Sequence, residues 1–208
     1  MPAVTRRAKV SRAERREDIA RRLFVVVDGL LANGSAFSEI SVEQLITEAE
    51  IARSTFYVYF EDKGALMLEL MDRVTQEIGN AAGDWFSLPP DATRVDLRKA
   101  LGKLANAYRR HGRMLSALIE AAAYDPRVRD EYGTIMQRRF QDMNNSFLPQ
   151  QRAGTIRKDI DLTSVTPWLG WMFERGLYQL VGRGTKLTNS ALEGVTSVVW
   201  HTLYEGTR

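Results

Sequence analysis

The chain has 208 residues, of which 44% are hydrophobic and 26% charged, the balance of a soluble globular protein. This length suits one large domain or two small domains that share a core. With six prolines and fifteen glycines the composition excludes a disordered or repeat-rich chain, and the absence of cysteine excludes disulfides and thiolate metal sites.

The start of the chain resembles neither a signal peptide nor a membrane anchor. Asp28 interrupts the apolar run "LFVVVDGLLA", and no segment approaches the roughly eighteen apolar residues of a membrane span. We therefore expect a soluble, cytoplasmic protein with no membrane partner.

Charge is distributed unevenly over the first third of the chain, although the formal net charge is only +3. Residues 1–22 carry eight cations against three anions, whereas residues 23–65 carry two cations against seven anions. A basic arm that precedes an acidic segment is either a phosphate-binding arm or an ordinary solvated tail, and the charge fits both.

Hydrophobic periodicity predicts helices along the N-terminal third, with no strand pair. Ser41 is expected to cap a short helix, with Gln44 completing a capping box. The predicted elements are, in order, a helix from Ser11 to the segment "ANGS", the short helix after Ser41, a turn at Glu50 and Ile51, a third helix in "RSTFYVYF" (53–60), and a longer helix from Lys63 that carries Met67, Leu70, Val74 and Ile78 on one face.

Beyond the loop "SLPPDAT" the pattern predicts five further helices, which makes the protein all-α with about nine helices. They are expected at 94–110, at about 114–122, from Asp125-Pro126 onward, at 163–181 and at 188–204, with loops at 151–161 and 182–189. The last two are apolar around more than half of their circumference, so each needs a second partner besides its own core. A homodimer through these two helices is expected, and central burial within one domain is the alternative.

Three short helices, of which the second and third are joined by a tight turn, are the arrangement of a helix-turn-helix. Phe56 and Phe60 of the third helix are expected to anchor inward, while hydrogen-bonding side chains face a major groove. The residues that we predict to contact bases or phosphates are Arg53, Ser54, Thr55, Tyr57, Tyr59 and Lys63, together with arm cations such as Arg6, Arg7 and Arg12.

The segment "SVEQLITEAEIARSTFYVYFEDKGAL" (41–66) resembles the helix-turn-helix of TetR-type transcriptional repressors. The motifs "MQRRF" and "MFERGLY" and the end of the chain around Trp200 resemble the mycobacterial ethionamide-resistance regulator subgroup of that family. The resemblance implies that Ser41 also contacts phosphate. It implies a DNA-binding domain at 1–65 and a ligand-binding and dimerisation domain at 66–208. A dimer would bind a palindromic operator in double-stranded DNA, and an effector would release it.

Two residues depart from the family pattern. Glu50 replaces the turn glycine, which tolerates a left-handed backbone, and Ala52 replaces the serine that caps the third helix. Loss of that cap costs about 1 kcal/mol, and Glu50 adds repulsion near DNA. These departures support an alternative function, a small-molecule carrier or sensor of the same fold whose DNA binding is weak or lost.

The subgroup resemblance also implies an apolar ligand tunnel. Positions 170 and 173, which are asparagines in the subgroup, are Gly170 and Phe173 here, so we expect a small lipophilic or aromatic effector, with simple core packing as the alternative. The expected lining is Leu97, Leu104, Tyr108, Met136, Gly170, Phe173 and Trp200, with Trp171 and Met172 adjacent.

Nothing in the sequence indicates catalysis, a metal or a cofactor. The two histidines, His111 and His201, are ninety positions apart, and we expect His111 to be exposed. No metal-ligand cluster, phosphate-binding glycine loop or nucleophile elbow is found. The pair Glu174-Arg175 inside an apolar helix is expected to form a salt bridge rather than a catalytic site. A helical enzyme is therefore the least favoured alternative.

Overall fold

A computed structural model describes residues 11–182 and 184–206. Within these residues the chain is all-helical, as the sequence predicts, and contains no strand. The helices are α1 (Arg12–Ala32), α2 (Val42–Glu48), α3 (Arg53–Tyr59), α4 (Lys63–Ala81), α5 (Gly83–Phe86), α6 (Arg94–Tyr124), α7 (Pro126–Ala153), α8 (Leu162–Val181) and α9 (Asn189–Leu203).

The number of helices in the described ranges equals the predicted number, but two elements differ from the prediction. The helices expected at 94–110 and 114–122 are one continuous 31-residue helix, α6. Gly112 lies in the expected break but inside the continuous helix, where it is packed against the backbone of Gly182. The one-turn helix α5 was not predicted, since four residues are too few for a periodic pattern.

The first three helices pack their apolar faces together and onto α4. Leu23 and Val27 of α1, Leu45 of α2 and Phe56 of α3 are fully buried. The central helix of the remaining part is α6, which contacts α4, α7, α8, α9 and also α1. Burying these apolar stripes against one another is the main force that holds helices of this kind together.

The predicted boundary between residues 65 and 66 falls in the first turn of α4, which is a single helix through this point. Its N-terminal end follows α3 directly, whereas its C-terminal half packs with α6 and α7. None of the helices in the described parts of the chain has both the length and the apolarity needed to cross a bilayer.

Candidate DNA-binding surface and effector cavity

Helix α3 places its aromatic side chains on two different faces. Phe56 and Phe60 point inward and are nearly inaccessible, with ring centroids 5.5 Å apart, as the sequence predicts. Arg53, Ser54 and Tyr57 are exposed on the opposite side. Of the other predicted contact residues, Thr55 and Tyr59 are half-buried, and Arg12 is exposed at the start of α1.

The turn between α2 and α3 has a left-handed backbone at Glu50, the position where the family pattern has a glycine. Glu50 has a φ of 50°, the one positive φ at a non-glycine residue of the described chain. Such a conformation costs a non-glycine residue about 1–2 kcal/mol. Arg22 of α1 offsets part of this cost, because its guanidinium donates to the carbonyl oxygens of Ala49 and, at 3.1 Å, of Glu50. Sequence reasoning missed Arg22, since no residue near it in α1 indicates that its side chain binds the end of α2.

Helix α3 begins without a side-chain cap, as predicted from Ala52. Its first residue, Arg53, instead forms an ion pair with Glu43 of α2 and lies over the ring of Tyr57 at 5.4 Å. Glu43 was not among the predicted site residues. The pair holds the guanidinium in place beside the exposed face of α3, and its two side chains are about three-fifths exposed, so its stabilising contribution is small.

Ser41 caps α2 through its hydroxyl, which accepts a hydrogen bond from the backbone N–H of Gln44 at 3.1 Å. The predicted capping box is wrong in its second half, because the side chain of Gln44 donates to Glu48 instead of returning to Ser41. Ser41 is exposed next to the start of α2, so its hydroxyl hydrogen can be donated to an incoming phosphate.

Lys63 has a structural role in place of the predicted phosphate contact. Its ammonium donates to the carbonyl oxygens of Phe37, Ser38 and Ile40 at 2.7, 3.0 and 2.8 Å, and it lies over the Phe37 ring. Burial lowers the pKa of Lys63, while the nearby Glu120 carboxylate acts in the opposite direction. All three ammonium hydrogens are used in fixing the α1–α2 loop. Arg6 and Arg7 of the predicted arm lie outside the described residues.

A cavity of about 280 Å³ lies between α4, α6, α7 and α8, with α5 at one side. It contains the predicted residues Leu104, Tyr108, Met136, Gly170 and Phe173. Aromatic and polar side chains that sequence reasoning missed complete the wall: Trp85 and Phe86 of α5, Tyr132 and Phe140 of α7, and at the solvent-exposed mouth Gln76, Asn80, Arg139 and Asp142.

The other four predicted lining residues lie elsewhere. Leu97 is fully buried in the core, and Trp200 lines a separate small cleft, where its ring stacks on Tyr204 at 5.4 Å. Trp171 lines an outer groove on the far side of Phe140, and Met172 packs against the core. Because a helix turns about 100° per residue, Gly170 and Phe173 lie on the same face of α8. Trp171 and Met172, which stand between them in the sequence, point in other directions.

One residue of the cavity wall, Tyr132, has a buried acidic partner. Tyr132 donates its hydroxyl hydrogen to Glu174 at 2.9 Å, and Glu174 is only 4% exposed. Burial, and then the Glu174 carboxyl, raise the pKa of both Tyr108 and Tyr132. The expected salt bridge within α8 is loose, because the Arg175 Nε lies 3.9 Å from Glu174 Oε2.

No group of three or more acidic or histidine side chains in the described residues is placed to hold a metal ion. The expectation that His111 is exposed is wrong. Its side chain is buried between α1 and α4, with Nε2 3.0 Å from a Glu77 carboxylate oxygen and the ring edge-on to Phe24.

The fold matches that of known transcription regulators. The chain superposes on Salmonella enterica GusR with a TM-score of 0.69 over 94% of this chain and 99% of that one, at 15% identity. A TetR family transcription regulator from Marinobacter aquaeolei VT8 superposes with a TM-score of 0.56 over 92% and 98% of the two chains, at 22% identity. The chain therefore has the fold of TetR-family transcription regulators, with an N-terminal helix-turn-helix and a helical C-terminal part.

In sequence the chain resembles the HTH-type transcriptional regulator EthR of Mycolicibacterium smegmatis, to which it is 31% identical over 103 residues. The same regulator of Mycobacterium tuberculosis is 31% identical over 102 residues. The match spans about half the length of these curated relatives, 47%, and 49% of this chain. No protein-family model matches the chain. The predicted resemblance to TetR-type regulators of the EthR kind is confirmed, and these relatives are regulators, not enzymes.

Proposed function

We propose that this protein is a ligand-responsive transcriptional repressor that binds a palindromic operator as a homodimer and is released by a small lipophilic or aromatic effector. The observation that carries the proposal is the exposed face of α3, where a cation and hydroxyl groups stand on a helix anchored by two buried phenylalanines. A helix presented in this way fits a major groove.

The proposed division of labour on the DNA follows the exposure of each side chain. Arg53, Ser54 and Tyr57 reach base edges or the adjacent backbone, because they are the exposed polar residues of α3. Ser41 contacts phosphate at the start of α2, and half-buried Thr55 and Tyr59 support the face from within. The arm cations, of which Arg12 is exposed, add a contribution that does not depend on base sequence.

The proposed dimer uses the outer faces of α8 and α9. Trp168 is 79% exposed, Trp171 41% and Leu180 53% on α8, and Val198 on α9 is 47% exposed. Large apolar side chains that are left exposed are typical of an interaction surface. Two-fold pairing would cover this surface on both copies at once and would set a fixed distance between the two α3 helices.

The effector is proposed to release the DNA through α4 and α6. Both helices line the cavity, and both also contact α1 of the proposed DNA-binding part. At its other end, α4 is capped by Asp62, whose carboxylate accepts a hydrogen bond from Arg127 at 2.8 Å. On α6, Glu120 accepts from the backbone N–H and hydroxyl of Ser38 at 3.1 and 2.5 Å. A ligand that shifts either helix therefore changes the spacing of the two α3 helices, which must match successive major grooves roughly 34–36 Å apart.

The test is selection of bound duplexes from a random DNA library, followed by fluorescence anisotropy titration of the selected duplex at several salt concentrations. Arg53→Ala and Tyr57→Phe are expected to weaken binding to the selected duplex by roughly 10-fold or more, as loss of a base contact does. The matched control is Arg129→Ala on α7, an exposed arginine whose partner is its neighbour Asp130. Equal affinity of all three variants and the parent would contradict the proposal.

A second candidate function is a carrier or sensor of the same fold with weak or lost DNA binding. The observation that favours it is the pair of anions near the start of α3, since Glu43 holds Arg53 and Glu50 lies in the turn. Enrichment of no duplex, together with retention of a small apolar ligand in native mass spectrometry, would favour this second function.

A further inference from the structure

The ring of Phe140 stands between two open spaces at the α7–α8 side of the molecule. It lines the cavity of about 280 Å³ and also the outer groove that contains Trp171, and it is the one residue that lines both. Phe140 is only 8% exposed, so its ring closes the cavity off from the groove. The cavity therefore ends at Phe140 in this direction.

A glycine on α8 makes room for this ring. A Cβ at Gly170 would overlap the Cε1 and Cδ1 atoms of Phe140, so the ring occupies the place that a side chain at position 170 would take. Atoms cannot approach so closely, and any side chain there would displace the ring. The absence of a side chain at Gly170 therefore fixes where the ring lies.

A displaced ring would reduce the cavity. Trp171 packs edge-on against Phe140 from the groove side, with ring centroids 5.3 Å apart, and Tyr132 supports Trp171 with centroids 6.3 Å apart. Gly170 itself lines the cavity and not the groove. A methyl group at this position would therefore occupy the cavity wall and push the ring away from Trp171 into the open volume.

The rest of the wall favours a compact, uncharged ligand. Apolar and aromatic side chains such as Trp85, Leu104 and Phe173 surround the cavity, which suits apolar carbon. Arg139 at the mouth is flanked by Asp72 and Asp142 at 3.8 and 3.6 Å, so it has no net positive charge to offer an anion. The volume of about 280 Å³ is just below the roughly 300–1,000 Å³ of pockets for drug-sized ligands.

We propose that Phe140 is the specificity-determining residue of the effector cavity and that Gly170 is the residue that positions its ring. The ring restricts the effector to a short, uncharged lipophilic molecule by separating the cavity from the outer groove. This inference rests on the proposed function for the cavity and narrows the effector by its length. A methylene that does not fit inside the ring's limit stays in water, so it adds no affinity.

The test is a series of 1-alkanols from hexanol to dodecanol, titrated into the full chain by isothermal titration calorimetry. Each added methylene that becomes buried should tighten binding by roughly 4-fold. In the parent protein this gain is expected to stop within the series, at a chain length called the cut-off below. A gain that continues unchanged to dodecanol overturns the inference, and so does failure of every alkanol to bind the parent and the variants.

The variant that tests the ring is Phe140→Ala, which joins the cavity to the groove. It is expected to raise the cut-off by roughly two methylenes or more. Leu101→Ala is the matched control, since it also removes a large buried side chain but does not line the cavity, and it should keep the parent cut-off. If Phe140→Ala does not fold, Phe140→Leu takes its place, with an expected rise of roughly one methylene. An unchanged cut-off in the tested variant overturns the inference.

Gly170→Ala is expected to shift the cut-off in the opposite direction, to a chain shorter by roughly one methylene. Its matched control is Gly29→Ala on α1, where a Cβ meets no atom within 4 Å, and this variant should keep the parent cut-off. A general loss of stability cannot move the cut-off up in one variant and down in the other. A cut-off that is unchanged or raised in Gly170→Ala overturns the positioning role of Gly170.

Release of the selected DNA duplex separates this inference from the proposed function. If alkanols bind and release DNA with the same cut-off in the parent, Phe140→Ala and Gly170→Ala, the repressor proposal stands and the inference about Phe140 fails. If the cut-off moves as expected but DNA binding is absent or unaffected by alkanols, the inference stands and the repressor proposal fails.

Discussion

Replacement of Gly112 by alanine is expected to destabilise the protein, although helix propensity alone predicts the opposite. In the interior of a helix, glycine to alanine contributes roughly 0.5–1 kcal/mol of stability. A Cβ at Gly112, however, would overlap the carbonyl group and Cα of Gly182, and all of the atoms it meets are backbone. The two helices α6 and α8 would have to separate at this point, because no side chain can rotate away.

The expected net effect follows from these opposing contributions. Overpacking in a core typically costs about 1–3 kcal/mol and sometimes more, and here the neighbour cannot yield. After the gain in helix propensity, we expect a net loss of about 2 kcal/mol, or roughly 4–8 °C in Tm for a chain of this length. Thermal unfolding at one fixed protein concentration measures the effect, since association would otherwise shift Tm.

Gly29→Ala on α1 is the matched control for Gly112→Ala. Gly29 is also inside a helix, but a Cβ there meets no atom within 4 Å. This variant is expected to raise Tm by a few degrees through propensity alone. If Gly112→Ala is as stable as the parent or more stable, while Gly29→Ala behaves as expected, the close approach of α6 and α8 is refuted.

Three further predictions concern the ion pair at α3, the interface and alkaline pH. Glu43→Gln releases Arg53 and removes an anion near the proposed DNA face, so affinity for the selected duplex should rise several-fold in anisotropy titrations; a fall would contradict the assigned role of Glu43. Trp168→Glu places a charge on the proposed dimer face, so light scattering should show a shift to monomer, and an unchanged dimer would exclude this face. Burial raises the pKa of Tyr204 from its usual value of 10 to about 12. The stability that depends on the protonated Tyr204 hydroxyl is therefore complete below pH 10 and is lost as pH rises from 10 to 12. Urea unfolding at pH 9 and pH 11 should show this loss, and Tyr204→Phe should show a smaller difference between the two pH values.

The sequence predicted the helix-turn-helix well because its signals are local. The cap at Ser41 and the inward Phe56 and Phe60 depend on residues within a few positions, whereas the left-handed backbone at Glu50 follows from the family's turn glycine at this position. The break expected between positions 110 and 114 did not occur, and Gly112 there packs against a residue that no local pattern reveals. That neighbour, Gly182, is seventy positions away.

Most of the cavity wall escaped sequence reasoning for the same physical reason. Trp85 stands on a helix of one turn, and Phe140 and Tyr132 reach the cavity only because α7 packs beside α8. Neighbours along α8 were expected to share the lining, yet the helical period directs Trp171 to an outer groove. Periodicity shows that a face is apolar, but it does not show which partner that face meets.

The two departures from the family pattern have different consequences for the proposed DNA binding. The strain of Glu50 is partly offset by Arg22, which donates to both carbonyl oxygens at the end of α2, so the turn keeps its geometry without a glycine. The missing cap at Ala52 is not replaced by any side chain, and the exposed Arg53–Glu43 pair adds little stability to the first turn of α3. In the proposed complex, a DNA base that contacts Arg53 competes with Glu43 for its guanidinium. We therefore expect Glu43, more than either departure in the turn, to limit the affinity of the proposed DNA-binding surface.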